Sequence, residues 1–201
     1  MLAHLRRSVI SIVVFTVFFG FVYAFAGTGV AQILFRHQAD GSITANGSTL
    51  IGQNWSATKC PGHPDGSCVF QGRPDDLGPY AGGDGDNPLV ANGKSGESAA
   101  TNLGPRSKVL LANTQALVAY WHKRGVDPTP DLVTTSGSGL DPDITPQDAL
   151  VQIPMVSAAT GISASALRAL IARETNGEEL GFLGSSYIDV LQLNEALAKL
   201  K

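Results

Sequence analysis

The sequence has few charged residues and almost no net charge. Asp, Glu, Lys and Arg make up 15% of its 201 residues, and the formal net charge is −3. Proteins that bind nucleic acid through its phosphates need an excess of Lys and Arg, so that class of partner is excluded. Cysteine is equally scarce, with only Cys60 and Cys68. They bracket one cluster and no second Cys/His pair follows, which disfavours a zinc site of the usual kind.

The common ligand-binding loops are also missing from the stretch DLVTTSGSGLDPDITPQDALVQIP, Asp131 to Pro154, although its glycines, hydroxyls and carboxylates suit an anion or a hard cation. No Lys-Ser or Lys-Thr pair follows the glycines, and no G-x-G-x-x-G opens a helix. The aspartates lack the spacing of an EF-hand. No histidine is arranged to activate Ser136 or Ser138. We therefore predict no catalytic residue and no metal site.

The same stretch is instead predicted to be a strand-turn-helix corner. Asp131 to Thr135 is typical of a short strand because it contains β-branched residues. Gly137 and Gly139 are expected to supply positive φ in the turn that follows. Thr145 is expected to cap a helix, which Pro154 then kinks or divides.

Charge is absent from Ser8 to Phe35, directly after the basic start MLAHLRR. Twenty helical residues at about 1.5 Å each cross a hydrocarbon core of roughly 30 Å. A cleaved secretory signal ending at the A-x-A of Ala24-Phe25-Ala26 is the alternative. The run to Tyr23 is at or beyond the upper length of a signal core. This favours a retained anchor over residues 8–35, with its core at about 8–30.

The flanking charges predict the orientation of this anchor. Arg6 and Arg7 precede it, and only Arg36 follows closely, so the positive-inside rule places residues 1–7 in the cytoplasm. The chain after Arg7 has twelve basic and seventeen acidic residues, a net charge of −5. We expect a single-pass protein of the cell (inner) membrane with an extracytoplasmic C-terminal domain.

Small residues recur every four positions along the anchor at Thr16, Gly20, Ala24 and Thr28. On an α-helix they form a face that another helix can approach closely. The alternative is that small residues are simply common in membrane helices. We take Thr16, Gly20 and Ala24 as candidate contacts with a partner helix in the membrane.

Two further regions follow the anchor. Residues 36–106 are predicted to be irregular, because Gly, Pro, Asn and Asp dominate from Gly52 to Pro105 and suggest a surface segment. Within them, Cys60 and Cys68 are predicted to form a disulfide, with a metal site that also uses His63 and Asp65 as the rival.

Residues 107–201 are predicted to form an α+β domain in which helices outnumber strands. Helices are expected from Ser107 to Gly125, after Thr145, after Ser163, and from about Asp189 to the C-terminus. The fold class is thus a single N-terminal transmembrane helix followed by a small α+β soluble domain. The predicted inward-facing residues are Leu110, Leu117, Trp121, Ala149, Leu150, Ile153, Leu167, Leu170, Ile171, Val190, Leu193, Asn194 and Leu197.

An ordered series of motifs covers nearly the whole chain: FRHQADGS, GSTLIGQNW, FQGRPDD, TNLGP, DLVTTSGSGLDPDITPQDALVQIP, ALIARETNGEELGFLG and VLQLNEAL. This series resembles the KdpC family, the C subunit of the Kdp potassium-transporting P-type ATPase. The stretches CPGHPDGSC and PYAGGDGDNPLVANGKSGES depart from it, being longer and richer in glycine than the family pattern.

The resemblance implies a non-catalytic accessory subunit of an ATP-driven potassium pump. Its partners would be a channel-like potassium-translocating subunit, a P-type ATP-hydrolysing subunit and a small single-span subunit, within membrane lipid. The family is described as raising the ATP affinity of the hydrolysing subunit, with a glutamine at the nucleotide. Gln147 and Gln152 are the matching candidates here, and ATP is the implied ligand although none is expected to bind tightly.

The charge pattern argues against direct ATP contact. An extracytoplasmic domain places Gln147 and Gln152 on the side of the membrane opposite to ATP, which favours a packing or capping role for both. The complex, and not this chain, would handle potassium, because the chain lacks a DKTGT phosphorylation motif and a selectivity-filter sequence. The alternative to the whole interpretation is a secreted or anchored extracytoplasmic binding module with no role in transport.

Overall fold

The computed structural model describes residues 2–63, 66–74, 98 and 100–200. The chain divides into two compact units, Met1–Ile43 and Thr44–Lys201. The first unit is dominated by one apolar helix, and the second combines helices with a few short strands. The predicted fold class is confirmed.

The first unit contains a continuous helix of 33 residues, Leu2–Leu34. It comprises α1 (Leu2–Val17), one π-helical stretch (Phe18–Tyr23) and α2 (Ala24–Leu34), and a short α3 (Arg36–Ala39) follows. At about 1.5 Å per residue the helix is about 50 Å long, enough to cross a hydrocarbon core of about 30 Å.

Helices make up most of the second unit. Strands β1 (Ile43–Thr44) and β2 (Gly47–Ser48) form a two-stranded sheet. A 3₁₀ turn follows at Trp55–Ala57. The remaining elements are α4 (Lys108–Lys123), a 3₁₀ turn (Asp131–Val133), β3 (Asp143–Ile144), α5 (Pro146–Val151), α6 (Ile153–Thr160), α7 (Ala164–Glu174), β4 (Ile188–Asp189) and α8 (Val190–Ala198). Strands β3 and β4 are antiparallel neighbours.

Side-chain caps begin four helices at the positions expected from the sequence. Ser107, Thr145, Ser163 and Asp189 each accept a hydrogen bond from a backbone N–H in the first turn of α4, α5, α7 and α8. Gly125 follows α4 with a φ of 71°. These predictions are confirmed because capping depends on residues that are adjacent in sequence.

The predicted strand at Asp131–Thr135 is wrong. Asp131–Val133 is a 3₁₀ turn. The indole N–H of Trp121 donates to the carbonyl of Leu132 over 2.9 Å, which occupies a group that a strand ladder would use. The Thr134 hydroxyl also donates to the carbonyl of Pro130 over 2.8 Å. Packing therefore overrides the weak β-preference of these residues.

The core of the second unit lies between its helices and the segment around Phe70. Of the residues predicted to face inward, Leu150 is 37% exposed and Leu110 is only half-buried. In the short helix α5, Asp148 and Ala149 take the buried positions instead. Among the described residues, the hydrophobic side chains with no exposed surface are Phe70, Trp121, Leu132, Ala149, Val156, Leu167, Ile188 and Leu193.

The prediction of a surface segment from Gly52 to Pro105 is wrong for the part around Phe70. Ser67, Cys68, Phe70 and Gln71 are buried, although their backbone is irregular. The aromatic ring of Phe70 contributes to the main hydrophobic cluster. A backbone without strand or helix partners must then find other hydrogen bonds in the core.

Candidate functional site

Two buried side-chain amides hold the backbone of Phe70 and Gln71. Asn194 accepts from the N–H of Phe70 over 2.8 Å and donates to its carbonyl over 2.9 Å. Gln152 accepts from the N–H of Gln71 over 2.8 Å and donates to its carbonyl over 3.0 Å. We call these four residues the amide clamp. Each amide replaces the strand neighbour that this segment lacks.

The local sequence fixes Gln152 at the junction of two helices. Thr145 and Asp148 form a capping box at the start of α5. Asp148 is also held by the Thr129 hydroxyl. Pro154 has no N–H to donate, so the helix divides, and Gln152 is both the C-cap of α5 and the N-cap of α6. The division predicted at Pro154 is confirmed.

The two glutamines proposed from the sequence as nucleotide contacts have different surroundings. Gln152 is fully buried, and its amide also donates to the carbonyl of Asp148 over 3.2 Å. Both its oxygen and its NH₂ group are thus engaged by the protein. Gln147 lies exposed on α5. A nucleotide contact by either residue stays a prediction, and the exposed amide of Gln147 is the one accessible to a ligand.

A cation from the chain itself fills the carboxylate-rich corner. The Arg73 guanidinium lies 3.6 Å from a carboxylate oxygen of Asp131 and 3.7 Å from one of Asp141. It also donates to the carbonyl of Thr134 over 3.3 Å. These contacts join Arg73, two residues after Gln71 of the amide clamp, to the stretch from Asp131 to Asp141. Two carboxylates of this stretch, those of Asp131 and Asp141, thus have a cationic partner within the protein.

The turn of this corner uses one of its two glycines in the left-handed region. Gly139 has a φ of 71°, whereas Gly137 does not have a positive φ. Ser136 accepts from the N–H of Gly139 over 3.0 Å, and Asp141 accepts from the N–H of Asp143 over 3.1 Å. The polar side chains thus stabilise the turn, as expected for Ser and Asp in loops.

A pair of carboxyls lies across the short sheet, where Asp143 is the register partner of Asp189. Burial, followed by repulsion from Asp141 and Asp189, raises the pKa of Asp143 to about 6. Burial also raises the pKa of Asp189, although hydrogen bonds from the N–H groups of Gln192 and Leu191 oppose the shift. The pKa of Asp143 is higher in the folded state than in the unfolded state, so losing its proton opposes folding. This carboxyl therefore destabilises the fold when the pH is above about 6, and the destabilisation decreases as the pH falls below that value.

The two cysteines are joined in the structure. Cys60 and Cys68 form a disulfide with their Cα atoms 5.8 Å apart. His63, one of the proposed alternative metal ligands, donates its backbone N–H to the carbonyl of Cys60 over 3.0 Å. The other, Asp65, lies outside the described residues. Among the residues that the structure describes, no group of three or more His, Cys, Asp or Glu is placed to hold a metal ion.

The candidate helix-contact residues lie along the exposed helix of the first unit. Thr16 precedes the π-helical stretch, Gly20 lies within it, and Ala24 follows it. Apart from its chain neighbours and the backbone of its own helix, no atom lies within 4 Å of the position that a Cβ on Gly20 would occupy. The Thr28 hydroxyl donates to the carbonyl of Ala24 over 3.0 Å, which satisfies it inside the helix. Contact of these residues with a partner helix stays a prediction.

Comparison with known proteins identifies the family. The family described as "KdpC: K+-transporting ATPase, c chain" matches residues 5–199. The chain belongs to the KdpC family. The match confirms the resemblance seen in the motif series, and it gives the chain a role in the potassium transport complex, whose other subunits are its partners.

Curated relatives of this KdpC-family chain agree over its full length. The Potassium-transporting ATPase KdpC subunit of Methylorubrum extorquens is 38% identical to this chain, and the alignment covers 100% of this chain and 98% of the relative. The subunit of Sorangium cellulosum is 39% identical, with 98% of each chain covered. The subunit of Caulobacter vibrioides is 38% identical, and the alignment covers 98% of this chain and 93% of the relative.

Sequence reasoning missed half of the amide clamp. Asn194 is correctly predicted to face inward, and Gln152 is singled out only through the family resemblance. Nothing in the sequence pattern pairs them with Phe70 and Gln71, which lie 124 and 81 residues away. A polar residue at an inward position of an apolar helix, as at Asn194, is the one local signal that a buried hydrogen-bond partner exists.

Proposed function

We propose that the chain is an accessory subunit of an ATP-driven, high-affinity potassium uptake complex, where it assists assembly and raises the ATP affinity of the hydrolysing subunit. The observation that carries the proposal is the match of the KdpC family to residues 5–199. The amide of Gln152 and the guanidinium of Arg73 both hold parts of this fold together, and the proposal assigns neither group a contact with ATP.

The partners in this proposal are a channel-like potassium-translocating subunit, a P-type ATP-hydrolysing subunit and a small single-span subunit. The long apolar helix crosses the lipid, and the complex handles potassium. ATP is hydrolysed by the partner subunit and is not tightly held by this chain. An effect on ATP affinity is then a coupling free energy between subunits.

We further propose that the N-terminus is cytoplasmic and that the second unit lies outside the cytoplasm in the inner membrane. Arg6 and Arg7 before the span, against Arg36 alone soon after it, support this orientation. Protease added to cells with permeable outer layers and a sealed inner membrane should digest the chain after Arg36. Protection until the inner membrane is opened would reverse the orientation and make direct contact between Gln147 and ATP possible.

Omitting this chain from the purified complex should raise the KM for ATP. Subunit coupling is typically about 1–3 kcal/mol, so the KM should rise at least about five-fold, and the yield of assembled complex should fall. ATP hydrolysis and potassium transport by reconstituted complexes with and without the chain measure both effects.

Gln147→Ala separates the two routes by which the chain can affect ATP. If the effect passes through subunit contacts elsewhere, the variant complex should keep the wild-type KM for ATP. An increase in KM equal to that caused by omitting the chain would assign Gln147 to the nucleotide.

If the complex assembles and binds ATP equally well without the chain, the proposed function is wrong, and a binding module without a role in transport becomes the better interpretation.

A further inference from the structure

A short hairpin projects between α7 and β4 in the second unit. We call residues 176–187 the hairpin arm. At its base, the N–H of Asn176 donates to the carbonyl of Tyr187 over 2.8 Å, and the N–H of Tyr187 donates back over 3.1 Å. Near its tip, Glu179 and Leu183 exchange two backbone hydrogen bonds of 2.9 Å each. The arm is thus an ordered element with a defined end.

The end of the arm exposes large apolar side chains. Leu180 is 82% exposed, Phe182 is 71% exposed and Leu183 is 48% exposed. Single exposed apolar residues are common on proteins, whereas three within four positions of one hydrogen-bonded turn concentrate apolar surface at one place. We call these three residues the apolar tip.

The backbone holds the apolar tip outward in an unusual conformation. Leu180 has a φ of 55° and Gly181 has a φ of 77°. Leucine is disfavoured in the left-handed region, where glycine and asparagine are the usual residues. Leucine at this position is therefore not explained by the turn, since a smaller polar residue fits the backbone better.

The charge of the hairpin arm favours a protein over an anionic lipid surface as its partner. Glu178 and Glu179 are exposed beside the apolar tip, and the arm contains no Lys or Arg. Peripheral segments that bind anionic membranes use clusters of Lys and Arg, and two carboxylates oppose such binding. An apolar pocket with a basic rim complements both the tip and its carboxylates.

We propose that the apolar tip docks into an apolar pocket, rimmed by Lys or Arg, on another subunit of the potassium-transporting ATPase. This inference rests on the proposed function, because it takes the partner from the same complex. Leu180 and Phe182 are the anchors of the contact, and Glu178 and Glu179 orient it by pairing with the basic rim. The contact adds a second attachment point to that of the membrane helix.

The test compares assembly of the purified complex containing wild-type chain or the double variant Leu180→Asn, Phe182→Ser. Asparagine tolerates the left-handed region, so the domain should unfold at the same temperature as wild type or higher. We expect recovery of the chain with the other subunits to fall at least ten-fold.

The charge reversal Glu178→Lys, Glu179→Lys should also weaken recovery of the chain with the other subunits, and this loss should diminish at high salt. The matched control is Leu111→Gln, because Leu111 on α4 is 59% exposed and distant in sequence from the arm.

Each outcome decides between named alternatives. Unchanged recovery of the double variant, with wild type assembling normally, overturns the docking proposal alone. Failure of the wild-type chain to assemble overturns the proposed function as well. In proteoliposomes that contain only this chain, quenching of a Phe182→Trp variant by brominated lipid would assign the tip to the membrane. A crosslink from position 182 to a second copy of this chain in the complex would assign it to self-association, and a crosslink to another subunit supports the proposal.

Discussion

Replacing Gln152 with alanine should lower the free energy of unfolding of the second unit by about 3–5 kcal/mol. The variant leaves the N–H and the carbonyl of Gln71 buried without their partner, and each unsatisfied buried group costs about 1–3 kcal/mol. The missing side chain also leaves a cavity at a fully buried position. The loss should be measured by denaturant unfolding of the full chain in detergent, followed by the fluorescence of buried Trp121.

Gln147→Ala is the matched control for this prediction. It changes the same residue type on the exposed side of α5, so its effect should lie within about 0.5 kcal/mol of zero. Asn194→Ala should resemble Gln152→Ala, because it frees the backbone groups of Phe70. The double variant should lose less than the sum, since both amides order the same segment. A loss below about 1 kcal/mol for Gln152→Ala would contradict the amide clamp as a source of stability.

Gly66→Ala should destabilise the second unit by about 3–4 kcal/mol. Gly66 has a φ of 73°, and an added Cβ would lie 2.5 Å from the carbonyl oxygen of Trp55 and 2.8 Å from the Cα of Ser56. Both neighbours are backbone atoms, which cannot rotate away as a flexible side chain does. Strain in the left-handed region and overpacking each cost about 1–3 kcal/mol. Thermal and denaturant unfolding of the full chain measure the loss.

Gly62→Ala isolates the close approach from the backbone conformation. Gly62 lies within the same disulfide loop as Gly66 and has a similar φ of 75°, but apart from its chain neighbours no atom lies within 4 Å of its Cβ position. Its replacement should cost only the left-handed penalty of about 1–2 kcal/mol. Equal losses for the two variants would show that packing against the Trp55–Ala57 turn does not restrict Gly66.

The features that the sequence predicted correctly depend on neighbours along the chain. The uncharged run from Ser8 to Phe35 fits the long helix Leu2–Leu34 because apolar composition and length are enough to specify such a segment. Thr145 begins α5 because its hydroxyl reaches the N–H of Asp148, three residues away. The motif series was likewise sufficient to identify the family.

Pairings between distant segments, which local patterns do not contain, were decided only by the tertiary structure. Asp131–Val133 forms a 3₁₀ turn because Trp121 binds the carbonyl of Leu132. Gln152, a predicted ligand contact, meets Gln71 across 81 residues, and Asn194 meets Phe70 across 124. A glycine- and proline-rich composition predicts irregular backbone, but whether that backbone is buried depends on which helices supply hydrogen bonds to it. The sequence alone determined where α4, α5, α7 and α8 begin, and packing determined which polar side chains replaced the hydrogen bonds of a missing strand.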